Sequence, residues 1–269
     1  IIAGVFTSFI LMILGFSELG SKPVIYISII MQSVLAIALP AYLAVAFTNS
    51  KPVNYLKIGK DTKSYSKVIF ATLVFIISYL FATFLTQLNK EMVLPESLKG
   101  IEELMRSLED SALETTNLLL SGKTLSSLIL NLTVVAGLAA ISEELFFRGA
   151  LQQFIYEKLK KKHIAVWLTA LVFSLVHFQF FGFFPRLFLG AVLGYLFLYT
   201  KNLWAPILFH FLNNGTVIIL NYFWSEKEWY SIIENTPITN TLICLSLVSL
   251  TFTIILFWVY NRQTLKKYI

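Results

Sequence analysis

The chain is short of cysteine, of aspartate and of charge in general, and each shortage removes a class of explanation. Cys244 is the single cysteine, so no disulfide can form within the chain. It lies in an apolar run, which predicts a small buried apolar side chain. The two aspartates, Asp61 and Asp110, both fall in polar stretches between apolar runs, which excludes a pair of aspartates working inside a membrane. No His-Glu-x-x-His zinc motif and no Gly-x-Ser-x-Gly elbow occurs, and Cys244 has no neighbouring His in sequence. Internal repeats, low-complexity segments and a second domain are also absent.

What is present is hydrocarbon. Of 269 residues 57% are hydrophobic and 13% charged, too apolar a balance for an ordinary soluble domain. Apolar runs of spanning length fall at about residues 1–16, 24–47, 67–89, 125–147, 164–182, 184–200, 203–224 and 239–260. The expectation is an all-α polytopic membrane protein of about eight transmembrane helices, a single integral domain over 1–269. The first run is short and has no initiator Met, which suggests a trimmed start, and no basic stretch precedes it as a signal peptide requires.

The net charge of +6 follows topology rather than nucleic acid. Stretches 48–67, 148–163, 201–202 and 261–269 hold fourteen Lys or Arg against two acids, Asp61 and Glu157; the other loops hold six against eleven. With eight spans the basic stretches share one side, which the positive-inside rule makes cytoplasmic, with both termini inside. Within the longest loop, apolar residues at 98, 101, 104, 105 and 108 predict an amphipathic helix over about 95–119, lying at the outer surface. Lys158, Lys160, Lys161 and Lys162 read as a stop-transfer signal and lipid headgroup anchor. His163, beside them at the surface, needs no function. Gly190 and Gly194 have the small-xxx-small spacing of close helix packing.

Ile141 to Gly149 reads Ile-Ser-Glu-Glu-Leu-Phe-Phe-Arg-Gly and puts three charges at the end of an apolar run. Each would cost roughly 2.5 to 3.5 kcal/mol at the centre of a transmembrane helix unless paired or wet. Residues four apart share a helix face and adjacent ones diverge by about 100°, so Glu144 reaches Arg148 while Glu143 points elsewhere as the free carboxylate. His177 closes Phe173-Ser-Leu-Val-His177 on the fifth run, and His210 begins His210-Phe-Leu-Asn-Asn214 on the seventh, where His210 and Asn214 share a face. A carboxylate in a dry site can take a proton from water, while His and Asn orient that water or stabilise an oxyanion. The same groups, Glu143, His177 and His210, also make a plausible ligand set for a divalent metal such as zinc. Residue types alone leave both open.

Glu143-Glu144-x-x-x-Arg148, Phe173-x-x-x-His177 and His210-x-x-x-Asn214, in this order on successive apolar runs, resemble the CPBP family, the CAAX protease and bacteriocin-processing (Abi) proteins. The matching core covers roughly 125–220. The resemblance implies an intramembrane endopeptidase of the type II CAAX prenyl endopeptidase fold, metalloprotease by label or glutamate-dependent. Glu143 would activate water with His177 helping to hold it, His210 and Asn214 would stabilise the oxyanion, and Glu144 and Arg148 would support the site. It further implies a peptide or protein substrate at the lipid bilayer, no nucleic acid, and the inner membrane of a prokaryote, without specifying oligomeric state. Two other readings stay open: a non-catalytic immunity or binding protein, and an ion-coupled transporter, since intramembrane Glu and His also serve as proton relays.

Depth is the point of tension. Counted from the cytoplasmic ends of these runs at 1.5 Å per residue, His177 lies roughly 20 Å in, His210 roughly 10 Å and Glu143 only a few. Either the fourth and fifth helices are shifted along their axes, with the Lys-rich end projecting, or one is tilted or broken; Pro206 would allow a kink in the seventh. The expected result is a cavity in the cytoplasmic half with a lateral or cytoplasmic opening.

Overall fold

The structure, a computed structural model, describes residues 20–49, 51–59, 65–230 and 236–266. Among these residues all regular structure is helical. The elements that frame the site are α1 (Lys22–Thr48), α2 (Pro52–Tyr55), α3 (Tyr65–Lys90), α4 (Lys99–Leu120), α5 (Leu125–Leu159), α6 (Lys162–Leu175), α7 (Phe183–Thr200), α8 (Trp204–Trp224) and α9 (Asn240–Lys266). Five helical segments are long and apolar enough to cross a membrane: α1, α3, α5, Phe180–Thr200 with α7, and α9. α8 has 21 residues but carries His210, Asn213 and Asn214, and α6 has only 14. The run 1–16 lies outside the described residues.

Two boundaries differ from the sequence reading, and both matter for the site. α5 continues twelve residues past 147, because Gln152 and Gln153 find partners there: their side chains donate to the carbonyls of Gly194 (3.1 Å) and Tyr55 (2.7 Å). Arg148, counted above as a loop charge, is therefore mid-helix and fully buried. α6 stops at Leu175, seven residues early. Phe178 adopts φ 54°, which breaks the helix, and the His177 side chain binds the Phe173 carbonyl left free by that break. Pro206 sits in the first turn of α8, where a missing N–H costs nothing, and makes no kink.

Lys57, Lys160 and Lys201 each take a left-handed conformation at a chain reversal. These reversals gather at one end of the bundle: Leu203 N–H donates to the Lys57 carbonyl, and Lys57, Lys162 and Lys201 border a common cavity. At the other end Lys123 bonds the Asn221 carbonyl at 3.0 Å. Between the ends, α3, α7, α8 and α9 share a core of Phe70, Val74, Leu193, Leu196, Phe209 and Phe257. Phe75 meets Phe209 edge-on at 5.6 Å, which turns the adjacent His210 toward α5. Apolar side chains also cover the outside, as lipid contact demands; Cys244 is among them, exposed on α9 rather than buried.

α4 has the expected amphipathic character and a further role. Its first half leaves Ile101 and Leu104 exposed, whereas Leu119 and Leu120 are buried. Asn131 of α5 holds this buried end, donating to the Leu119 carbonyl (3.1 Å) while accepting from the Tyr26 hydroxyl (2.7 Å).

Candidate active site

Lys160, in the turn between α5 and α6, explains how Glu143 and His177 meet. Glu143 lies seventeen residues before it and His177 seventeen after, so both reach the same level, roughly 25 Å from the turn. The extension of α5 removes the depth mismatch that straight, edge-starting helices would have created.

A cavity of about 420 Å³ lies at that level, lined by Glu143, His177, His210 and Asn214 together with Phe173 and Phe209. The sequence-derived set is thus brought together on one surface. Its wall includes Thr116, Leu119 and Leu120 of α4, Gln179 from the connection after α6, and Arg186 of α7. These lie away from the Lys-bearing turns, so the cavity is displaced toward the opposite end of the bundle from the one expected. α4, expected as a surface helix, forms part of its wall.

Glu144 and Arg148 stand behind the cavity with no exposed surface. Arg148 Nη1 donates to Glu144 Oε1 at 2.7 Å and Nη2 donates to the Gly190 carbonyl at 3.0 Å. His210 Nδ1 lies 2.8 Å from the same Glu144 oxygen. A carboxylate only accepts, so Nδ1 carries the hydrogen and Nε2 is turned toward Glu143, 3.9 Å from its Oε2. That gap is too long for a direct hydrogen bond, and Glu143 Oε2 is buried without a partner. Glu144 Oε2 is likewise without a partner; what separates the two is that Glu144 Oε1 holds Arg148 and His210, whereas Glu143 lines the cavity.

Phe173 ties the set together. Its carbonyl accepts from His177 Nδ1 at 2.6 Å, which leaves His177 Nε2 as an acceptor. Its buried ring has the Arg148 guanidinium 4.7 Å from its centroid, with the rings of His177 and His210 at 4.9 and 6.0 Å. Asn214 Oδ1 accepts from Asn213 Nδ2 at 3.2 Å, leaving the Asn214 amide hydrogens for another acceptor. His163 pairs with the Tyr195 hydroxyl at 3.0 Å, away from this site.

Sequence reasoning passed over Arg186, Gln179 and Asn213, which also line the cavity. Arg186 had a signal: it is a cation four residues into α7, a helix otherwise free of charge. Asn213 and Gln179 had none that distinguishes them from other amides. Among the described residues no three His, Cys, Asp or Glu side chains converge closely enough to hold a metal ion. Glu143, His177 and His210 border one cavity without forming such a group, so they do not fit a preformed three-ligand centre.

Residues 125–216 match the family model described as Type II CAAX prenyl endopeptidase Rce1-like. The matched stretch contains all three motifs and supports an intramembrane protease function. No curated protein and no solved structure matches the chain.

Proposed function

We propose that this chain is an intramembrane endopeptidase in which Glu143 activates water against a peptide bond of a membrane-associated or hydrophobic substrate. The observation that carries this reading is the convergence of Glu143, His177, His210 and Asn214 on one cavity, with an unpartnered Glu143 oxygen facing His210. In this scheme Glu143 takes a proton from water while His177 Nε2 accepts its other hydrogen. The resulting hydroxide attacks the carbonyl carbon. The oxyanion accepts from the Asn214 amide and from His210 Nε2, whose imidazolium form is balanced by Glu144. Glu143 then returns the proton to the leaving nitrogen as the C–N bond breaks, giving an acid and an amine. Glu144 and Arg148 hold His210 in register. No step here passes through a metal.

The chain would act as a single multi-pass domain, its catalytic core at 125–220, in a prokaryotic inner membrane. Its Lys-bearing turns and both termini would face the cytoplasm. Processing of CAAX-type or bacteriocin-type peptides fits the apolar cavity.

Cleavage of quenched fluorescent hydrophobic peptides by the detergent-purified protein tests the scheme. Glu143→Gln and His177→Ala are expected to lower turnover by about a hundred- to ten-thousandfold while melting as the wild type does. Activity should persist in a strong chelator. Chelator-sensitive activity restored by zinc would replace the water scheme with a metal one, a fully active Glu143→Gln variant would remove Glu143 from the chemistry, and no cleavage by the wild type would end the peptidase reading.

A further inference from the structure

Arg186 is a half-buried cation with no opposite charge in contact. Its guanidinium borders the candidate active-site cavity and also a second cavity of about 610 Å³, with Leu189 alongside it in both. Among the described residues no carboxylate oxygen comes within ion-pair distance of it, and its hydrogen bond is a long one, Nη1 to the Gln179 carbonyl at 3.4 Å. The contrast with Arg148 is informative: that guanidinium, buried behind the cavity, is matched by Glu144 at 2.7 Å. The nearest candidate partner, Glu109 of α4, instead accepts from Gln179 Nε2 at 3.4 Å. Glu109 and Glu143 act on Arg186 through space without touching it, and Glu109 and Asp110 share the second cavity with it; a guanidinium taken partly out of water with its donors unfilled is still costly until an acceptor completes it.

A second observation concerns Gly182. A Cβ there would overlap Arg186 Nη2 and stand 2.7 Å from Cζ. Gly182 has φ −113°, which any residue adopts, so backbone freedom does not explain the glycine. The missing side chain is what lets the guanidinium fold back over the 180–182 turn and stay at the cavity wall.

We propose that Arg186 is the specificity-determining residue of the reaction proposed above, holding a carboxylate of the substrate so that a peptide bond a short way along the chain reaches Glu143. Planar bidentate pairing with a carboxylate is what a guanidinium offers. The carboxylate is either the peptide's own C-terminus or an acidic side chain. Phe181 and Leu189 beside it, with Leu193 and Phe209 deeper in, would take the apolar residues between the anchored carboxylate and the scissile bond.

The inference rests on the peptidase reading but is tested apart from it by binding. Fluorescently labelled hydrophobic peptides are prepared as C-terminal acids, as amides, and as amides carrying one Glu, and are titrated into full-length Glu143→Gln protein by anisotropy. The acids should bind about ten- to a hundredfold more tightly than plain amides. Adding Arg186→Gln should bring that ratio near one, and Arg186→Lys should leave an intermediate ratio. Gly182→Ala, which displaces the guanidinium but keeps its charge, should also reduce it. Preference for the Glu-bearing amides over plain ones, lost in Arg186→Gln, assigns the side-chain source. Equal affinities for all three peptides, or an acid preference unchanged by Arg186→Gln, would overturn the role of Arg186. Absence of cleavage by the wild-type protein, with the binding preference intact, would count against the peptidase reading and not against this one.

Discussion

Arg148 is a fully buried charge, and its support is local: Glu144 one turn away and the Gly190 carbonyl across the helix interface. Removing one member of such a pair leaves the other unpaired in a low-dielectric interior. Arg148→Met is expected to destabilise the protein by about 3–5 kcal/mol, read as a lowered melting temperature in detergent. Glu144→Leu/Arg148→Met should be milder than the single change, because no charge is left behind. It should nevertheless be inactive, since His210 loses the oxygen that orients Nδ1. A double variant as unstable as Arg148→Met would mean that packing around Phe173, not charge, dominates at this position. Arg148→Lys should fail as well: one ammonium cannot supply the forked donors that serve Glu144 and Gly190 together.

Helices α5, α6 and α7 are joined through a row of glycines. Arg148 and Gln152, one turn apart on α5, bond the carbonyls of Gly190 and Gly194, one turn apart on α7. Only a close approach of backbones puts those carbonyls in reach. A Cβ on Gly194 would lie 2.9 Å from both Val166 Cγ1 and Gln152 Oε1, and one on Gly190 3.2 Å from the Ala170 backbone. Gly194→Val should therefore cost about 1–3 kcal/mol. Gly100→Ala on α4, where nothing lies within 4 Å, should change stability by no more than about 0.5 kcal/mol. Equal effects at the two positions would count against the tight α5–α6–α7 contact. α5 also departs from regular α geometry, with π-helical turns at Asn131–Leu138 and Leu145–Gln152 on either side of Glu143 and Glu144. Such wide turns recur at functional sites, where they reset which side chains face inward.

The whole molecule carries its basic turns at one end and the acid-rich α4 at the other. That polarity, with the positive-inside rule, predicts the orientation. In a Cys244→Ser background, Glu91→Cys should be labelled by a membrane-impermeant maleimide in intact cells, and Lys161→Cys only after permeabilisation. The reverse pattern would invert the topology and place the α4 side of the cavity toward the cytoplasm.

The apolar runs, the Glu144–Arg148 pairing, the divergence of Glu143 and the close packing at Gly190 and Gly194 all follow from spacing along the chain. Helical periodicity relates residues three or four apart, so interactions of that range are legible in sequence. Polar groups inside apolar runs singled out Glu143, His177, His210 and Asn214, family resemblance suggested their roles, and the fold brings them to one cavity. The length of α5, the early end of α6 and the recruitment of α4 to the cavity wall were not legible. Each depends on partners 9 to 98 residues away: Gln152 on Gly194, Gln153 on Tyr55, Ser174 on Phe183, Asn131 on Leu119. Arg186 shows the same division. Its charge inside an apolar run is visible in sequence; that no carboxylate meets it, and that Gly182 makes room for it, depends on how the 180–182 turn lies against α7 and α4, which only the tertiary structure decides.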